Sequence, residues 1–86
     1  MNISVELTLS PLQDNFERPI INFIKVLRAS GLRIMENPLS TQVYGPYDVV
    51  MDLLQTELKE VFEAMDQGLL FMKIVKTDRS LYEPHF

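Results

Sequence analysis

The chain predicts an α+β domain: a four-stranded antiparallel sheet with two helices on one face. Three observations lead there. "NISVELTLS" alternates strictly between apolar and polar residues; two later stretches repeat apolar residues at helical spacing; and two short apolar runs are bent around a proline between them. The resulting order is strand, helix, strand, strand, helix, strand, in two halves of similar length. This is the ferredoxin-like βαββαβ arrangement.

In the first strand Ile3, Val5, Leu7 and Leu9 point one way and Ser4, Glu6, Thr8 and Ser10 the other, the pattern of a half-buried strand that ends at Pro11. "DNFERPIINFIKVLRASG" then places Phe16, Ile20, Phe23, Ile24 and Leu27 on one helical stripe. Pro19 belongs in the first turn, where a missing N–H costs little, so this helix starts near residues 15 to 18, and Gly31 suits its C′ position. "LRIMENPLSTQVYG" supplies two strands, near 32–36 and 40–45, with Pro38 in the connection. From about 47 to 66 the spacing is helical again, with Val50, Leu54, Leu58, Val61 and Met65 on one stripe and Asp48, Asp52, Glu63 and Asp66 opposite; Gly68 is read as its stop. "LLFMKIVK" is the last strand, and the polar tail "TDRSLYEPHF" is expected to be only partly ordered.

The 86 residues allow a single domain, taken as residues 1–79 with a C-terminal tail at 80–86. Apolar residues at 47% against charged ones at 23% are enough to fold a chain rather than leave it disordered. Cysteine is absent, which removes disulfides, thiolate metal sites and cysteine nucleophiles, and fits a cytoplasmic location. "MNISVELTLSPL" has neither the charged start nor the apolar run of a secretory leader, and no stretch approaches the roughly 18 apolar residues of a membrane helix. A net charge of −4 argues against a nucleic-acid partner. The charge is uneven: residues 48 to 66 carry six acids against Lys59 alone, whereas residues 1 to 47 balance four against four.

This fold hosts many activities, so function has to come from particular residues. Acyl-phosphate hydrolysis needs an arginine in a glycine-rich loop after the first strand, but "SPLQDNFERP" has no glycine and sets Arg18 beside Glu17. Base stacking on RNA needs aromatics on the central strands; the first has none and the third only Tyr44. The lone His85 lies in the tail, so no nucleophile–base pair forms inside the domain, and the chain reads as a non-enzyme without a cofactor.

Three polar features stand out. Glu6 projects from a central strand, either to pair with Lys73 across the sheet or to meet a cation or amino group. Glu57 falls inside the apolar arc of the second helix, reaching past the core edge or facing a pocket. Thr41 and Tyr44, with Asn37 at the bend, offer hydrogen bonds and an aromatic wall; they are ordinary hairpin chemistry or a grip on a small flat ligand.

"ISVELTLSPL", "SGLRIMENPLSTQVYG" and "MKIVKTDR" together resemble the small thiamine-binding proteins of the YkoF-like type. The resemblance spans residues 2 to 79 and rests on Pro11, Leu12, Ser30, Gly31, Leu32, Pro38, Thr41, Val43, Gly45, Asp78 and Arg79. The sequence departs from the family pattern where Gln13 replaces a glycine, Met35 an acid, Asn37 a glycine and Tyr44 a glutamate; Glu36 is displaced by one position and so faces the other way in a strand.

The resemblance implies the same fold and a cytoplasmic, non-catalytic binder of thiamine or its hydroxymethylpyrimidine part. It also implies a homodimer or homotetramer formed by apposing sheets. Glu6, Asn37, Thr41 and Tyr44 are the expected ligand-binding residues. The alternative is a structural or regulatory interaction protein that keeps the fold without the thiamine site.

Overall fold

The computed structural model describes residues 1–86 and shows the expected order: β1 (Asn2–Pro11), α1 (Glu17–Arg28), β2 (Arg33–Glu36), β3 (Thr41–Pro46), α2 (Tyr47–Glu63) and β4 (Gly68–Val75). The strands form one antiparallel sheet in the order β2-β3-β1-β4, with β1 and β3 central.

The alternation of β1 sets the layers. Ile3, Val5 and Leu7 are almost completely buried on the helix side, and Val43, directly opposite Val5, joins them from β3. Phe23 and Leu27 from α1 and Val50, Leu54 and Val61 from α2 close the core, with Met65 just beyond α2. Burying each large aliphatic side chain contributes roughly 1.5–3 kcal/mol. Phe16 is not part of this core: it is the exposed N-cap of α1, and Pro19 takes the buried place one turn on.

Helix ends differ from the glycine-based reading. α1 stops at Arg28, where the Ser30 hydroxyl donates to the Leu27 carbonyl at 2.6 Å and accepts from the Leu32 N–H at 3.2 Å. Gly31, at φ +82°, lies one residue beyond the expected C′ position and turns the chain into β2. α2 ends at Glu63 rather than 66, because the Ala64 and Met65 N–H groups bond back to Glu60 and Phe62 and tighten the last turn. Gly68 therefore opens β4 and does not stop the helix.

The other sheet face carries no helix. By register it shows Ser4, Glu6 and Thr8 of β1 between Gln42 and Tyr44 of β3 and Phe71, Lys73 and Val75 of β4. Ser4 is nonetheless only 7% exposed. The chain after β4 turns back over it, so that the Ser4 hydroxyl donates to the Thr77 carbonyl at 2.7 Å and accepts from the Arg79 N–H at 2.8 Å. The first residues of the tail are thus fastened to the sheet.

Candidate functional site

The bend between β2 and β3 is built by Asn37. Its carboxamide oxygen accepts from the Leu39 and Ser40 N–H groups at 2.8 and 3.0 Å, and its own N–H donates to the Ser40 carbonyl. This local turn chemistry fixes a tip that overhangs the end of β1. Thr8 reaches it from the sheet, with its hydroxyl 3.4 Å from the Leu39 carbonyl. Between tip, β1 and α1 lies a crevice of about 210 Å³. Leu7, Leu9, Ile20, Phe23 and Ile24 form its walls, and Thr8, Asn37, Ser40 and Thr41 supply the polar atoms. No charged side chain lines it.

The four expected ligand-binding residues do not form one cluster. Thr41 pairs with Leu7 and so faces the helices; it is 7% exposed and lines the crevice beside Asn37. Glu6 and Tyr44 face the other side, where a shallower depression of about 140 Å³ also takes in Gln42, Lys73 and Arg79. Thr41 and Tyr44 are three residues apart on one strand, and an odd spacing puts side chains on opposite faces.

Ser40 links the two sides. Its hydroxyl donates to Glu6 Oε2 at 3.0 Å and accepts from Gln42 Nε2 at 2.6 Å, while Lys73 Nζ stands 3.5 Å from Glu6 Oε1. The Ser40 hydrogen bond, and then the Lys73 charge, hold the Glu6 carboxyl below its ordinary range. The cross-strand Glu6–Lys73 pair is therefore present, and Glu6 also braces the lip of the crevice. Glu36 faces the helix layer and pairs with Arg28 through two contacts, 2.6 Å from Nε and 2.7 Å from Nη2. Met35 lies opposite Gln42 on the open face.

A second cavity, of about 280 Å³, opens between the N-terminal end of α1 and the C-terminal half of α2. Glu57 does face a pocket, this one, together with Glu60, Arg18, Asn22 and the loop residue Gln13. Burial, then the neighbouring Glu60, pushes the Glu57 carboxyl up. No group of three or more acids or histidines could hold a metal ion, and no helix is long and apolar enough to cross a membrane.

The crevice walls were partly legible. Ile20, Phe23 and Ile24 belong to the apolar stripe of α1, but periodicity marks them as core without showing that Ile20 and Ile24 border a cavity. Ser40 was missed, and only its place two residues after the turn-forming Asn37-Pro38 could have drawn attention to it.

The architecture places the chain in the ferredoxin-like class of small α+β domains, which many functions share. Within that class the chain belongs to the family of thiamine-binding proteins: the sequence profile described as "Thiamine-binding protein" matches residues 5–81. No curated protein gives a significant sequence match.

Among solved structures, a Streptococcus pneumoniae protein superposes with a TM-score of 0.82 at 23% identity, covering 94% of this chain and 92% of its own. A candidate thiamine biosynthesis/salvage protein from Thermotoga maritima gives 0.81 at 16% identity, covering 90% and 85%. A domain of unknown function from Bacillus cereus gives 0.75 at 17%, covering 91% and 78%. At these identities the likeness establishes the fold. A de novo designed protein also matches, at 0.59 and 9% identity, which illustrates how little the fold alone says about function.

Proposed function

We propose that this chain binds thiamine or its hydroxymethylpyrimidine part without catalysis, seating the pyrimidine ring in the crevice beneath the β2–β3 tip. Family membership supports a thiamine-related role. The observation that carries the finer reading is the crevice itself, with apolar walls around the Thr41 hydroxyl and the Asn37 turn. Pockets for whole drug-sized ligands run to about 300–1,000 Å³. At about 210 Å³ this one suits a single substituted ring, leaving the rest of the molecule at the lip.

The polar lining consists of hydroxyls, a carboxamide and backbone groups, which suit hydrogen bonding rather than proton transfer. No lysine or arginine lines it to meet a phosphate, so the unphosphorylated forms are preferred. Thr41 and Asn37 are the direct contacts, and Glu6 acts through Ser40 as a positioning residue. Tyr44 belongs to the opposite face.

That face, with Phe71 and Met35 exposed and no helix over it, supports assembly into a homodimer or homotetramer. Light scattering at tens of micromolar should then give a mass above that of the monomer. A cytoplasmic location fits the cysteine-free composition.

Thermal shift and calorimetry with thiamine, its phosphates and the free pyrimidine test the binding reading. Thiamine and the pyrimidine should raise the melting temperature, by mass action equivalent to about 2.7 kcal/mol at a hundredfold excess over Kd. Thr41→Val should weaken binding by about 1 kcal/mol or more, because a polar ligand atom loses its partner. Tyr44→Ala should leave crevice affinity intact.

A second reading, a regulatory or structural interaction protein without the site, is favoured by one observation. The side-chain oxygens of Asn37 and Glu6 are already engaged within the chain. Absence of any shift with all of these ligands would establish it.

A further inference from the structure

The cavity between α1 and α2 shares only Phe23 with the crevice, and unlike the crevice it is charged. Arg18 and Asn22, one turn apart on α1, line one side; Glu57 and Glu60, three residues apart on α2, line the other. The buried side chains of Pro19, Phe23 and Val61 form an apolar floor between them. Gln13 fixes one end: its Nε2 donates to the Asn15 carbonyl at 2.8 Å and its Oε1 accepts from the Asp66 N–H at 3.1 Å. This end is therefore held by the chain's own bonds, without help from a ligand.

None of the cavity's charges is neutralised within the chain. The ion pairs are Arg28–Glu36, Lys59–Glu63 and Lys73–Glu6, so Arg18, Glu57 and Glu60 have no partner. Glu57 and Glu60 crowd each other instead. The helix ends add to the same polarity. α1 starts without a side-chain cap, which leaves its positive end open to an anion; Glu17, in the same turn, does not line the cavity. α2 has no basic residue in its last turn, so its negative end favours a cation.

We infer that this cavity binds a free α-amino acid with an apolar side chain. Its carboxylate meets Arg18 and the start of α1, its ammonium meets Glu57 and Glu60, and its side chain rests on Phe23 and Val61. A guanidinium takes a carboxylate through two parallel hydrogen bonds, and an ammonium has donors for both glutamates. A plain cation would leave Arg18 unpaired, and a plain anion would meet two carboxylates. Only a ligand carrying both charges satisfies both sides. At about 280 Å³ the cavity lies just below the range for drug-sized ligands, about 300–1,000 Å³, which suits one such molecule.

Calorimetry on the full chain with leucine, isopentylamine and 4-methylpentanoate tests this, because the three share one apolar body and differ in charge. Phenylalanine serves as the aromatic counterpart. Leucine or phenylalanine should bind, and the amine and the acid should bind roughly tenfold or more weakly, each having lost one set of charged hydrogen bonds. Glu57→Gln and Arg18→Gln should each weaken the amino acid by a similar factor, with circular dichroism unchanged. Glu63→Gln removes the same charge from α2 outside the cavity and should leave affinity unaltered. In an NMR titration the amide shifts should centre on Asn22, Phe23 and Glu60. No binding of leucine or phenylalanine at millimolar concentration would overturn the proposal, as would an amine that binds as tightly as leucine. So would full affinity in folded Glu57→Gln and Arg18→Gln, or shifts confined to the β2–β3 tip. A null result with thiamine bears on the crevice alone and leaves these outcomes unchanged.

Discussion

The two edges of this sheet obey opposite rules. β2 is short, carries Arg33 and Glu36, and is tied to α1 by the two-contact Arg28–Glu36 pair. β4 is twice as long and bears apolar side chains on both faces. On its helix face Met72 and Ile74 stay exposed because the helix layer does not reach over them. The lesson is that burial follows position in the sheet rather than side-chain type. Ile34 on β2 and Ile74 on β4 both face the helices, yet only the first packs against the core.

Substitutions that separate the centre of the sheet from its edges sharpen this comparison. The largest effect belongs to the centre: Leu7→Ala, at a residue 2% exposed, should cost roughly 2–5 kcal/mol. A urea midpoint measures it. Leu69→Ala on the β4 edge, at a residue 37% exposed, should cost far less.

Next comes the tip beside β2. Asn37→Ala frees the Leu39 and Ser40 N–H groups and should cost about 1 kcal/mol, together with a loss of ligand affinity as the lip loosens. Unchanged affinity by calorimetry would detach the tip from binding.

The charged edge should show its ion pair in acid. Arg28 holds the Glu36 carboxyl below its usual range through a hydrogen bond and its charge. Glu6 is depressed likewise, by Ser40 first and then Lys73. A carboxylate whose folded value is lowered contributes stability above its unfolded value, about 4.3 for glutamate, and that contribution fades as the pH falls through the folded value. The melting temperature should therefore fall below about pH 4, less steeply in Glu36→Gln. High salt should shrink the difference, since both partners are solvent-accessible.

The smallest effect lies away from both edges. Glu57 is pushed up by burial and by Glu60, so its ionised form is disfavoured in the fold. Glu57→Gln should raise the melting temperature slightly at neutral pH. The gain should disappear once acid has neutralised the native carboxyl. A gain that persists in acid would place its origin in packing rather than charge.

Much of the fold was legible because its signals are local. Strict alternation identifies β1 wherever one face is covered, and the stripes of α1 and α2 marked Phe23, Leu27, Val50, Leu54 and Val61 as core. The helix ends were misplaced because each is set by a few backbone and hydroxyl bonds, at Ser30 and at Ala64–Met65, rather than by the glycines that follow. In the candidate site the Asn37 turn follows from residue type alone. The separation of Thr41 from Tyr44 follows from counting along one strand. The Ser40–Glu6 bond, between residues 34 apart, follows from neither.

The sequence by itself determined the order of elements and which side of each strand and helix is apolar, because periodicity acts over a few neighbouring residues. Only the tertiary structure decided that the α1 stripe and the β2–β3 tip leave a crevice between them. It also decided that residues 77 and 79 fasten to Ser4, and that β4 rather than β2 is the bare apolar edge. These outcomes join residues up to 75 positions apart. They depend on how strands pair and layers stack, and the loop closures that bring such residues together leave no mark in the local pattern.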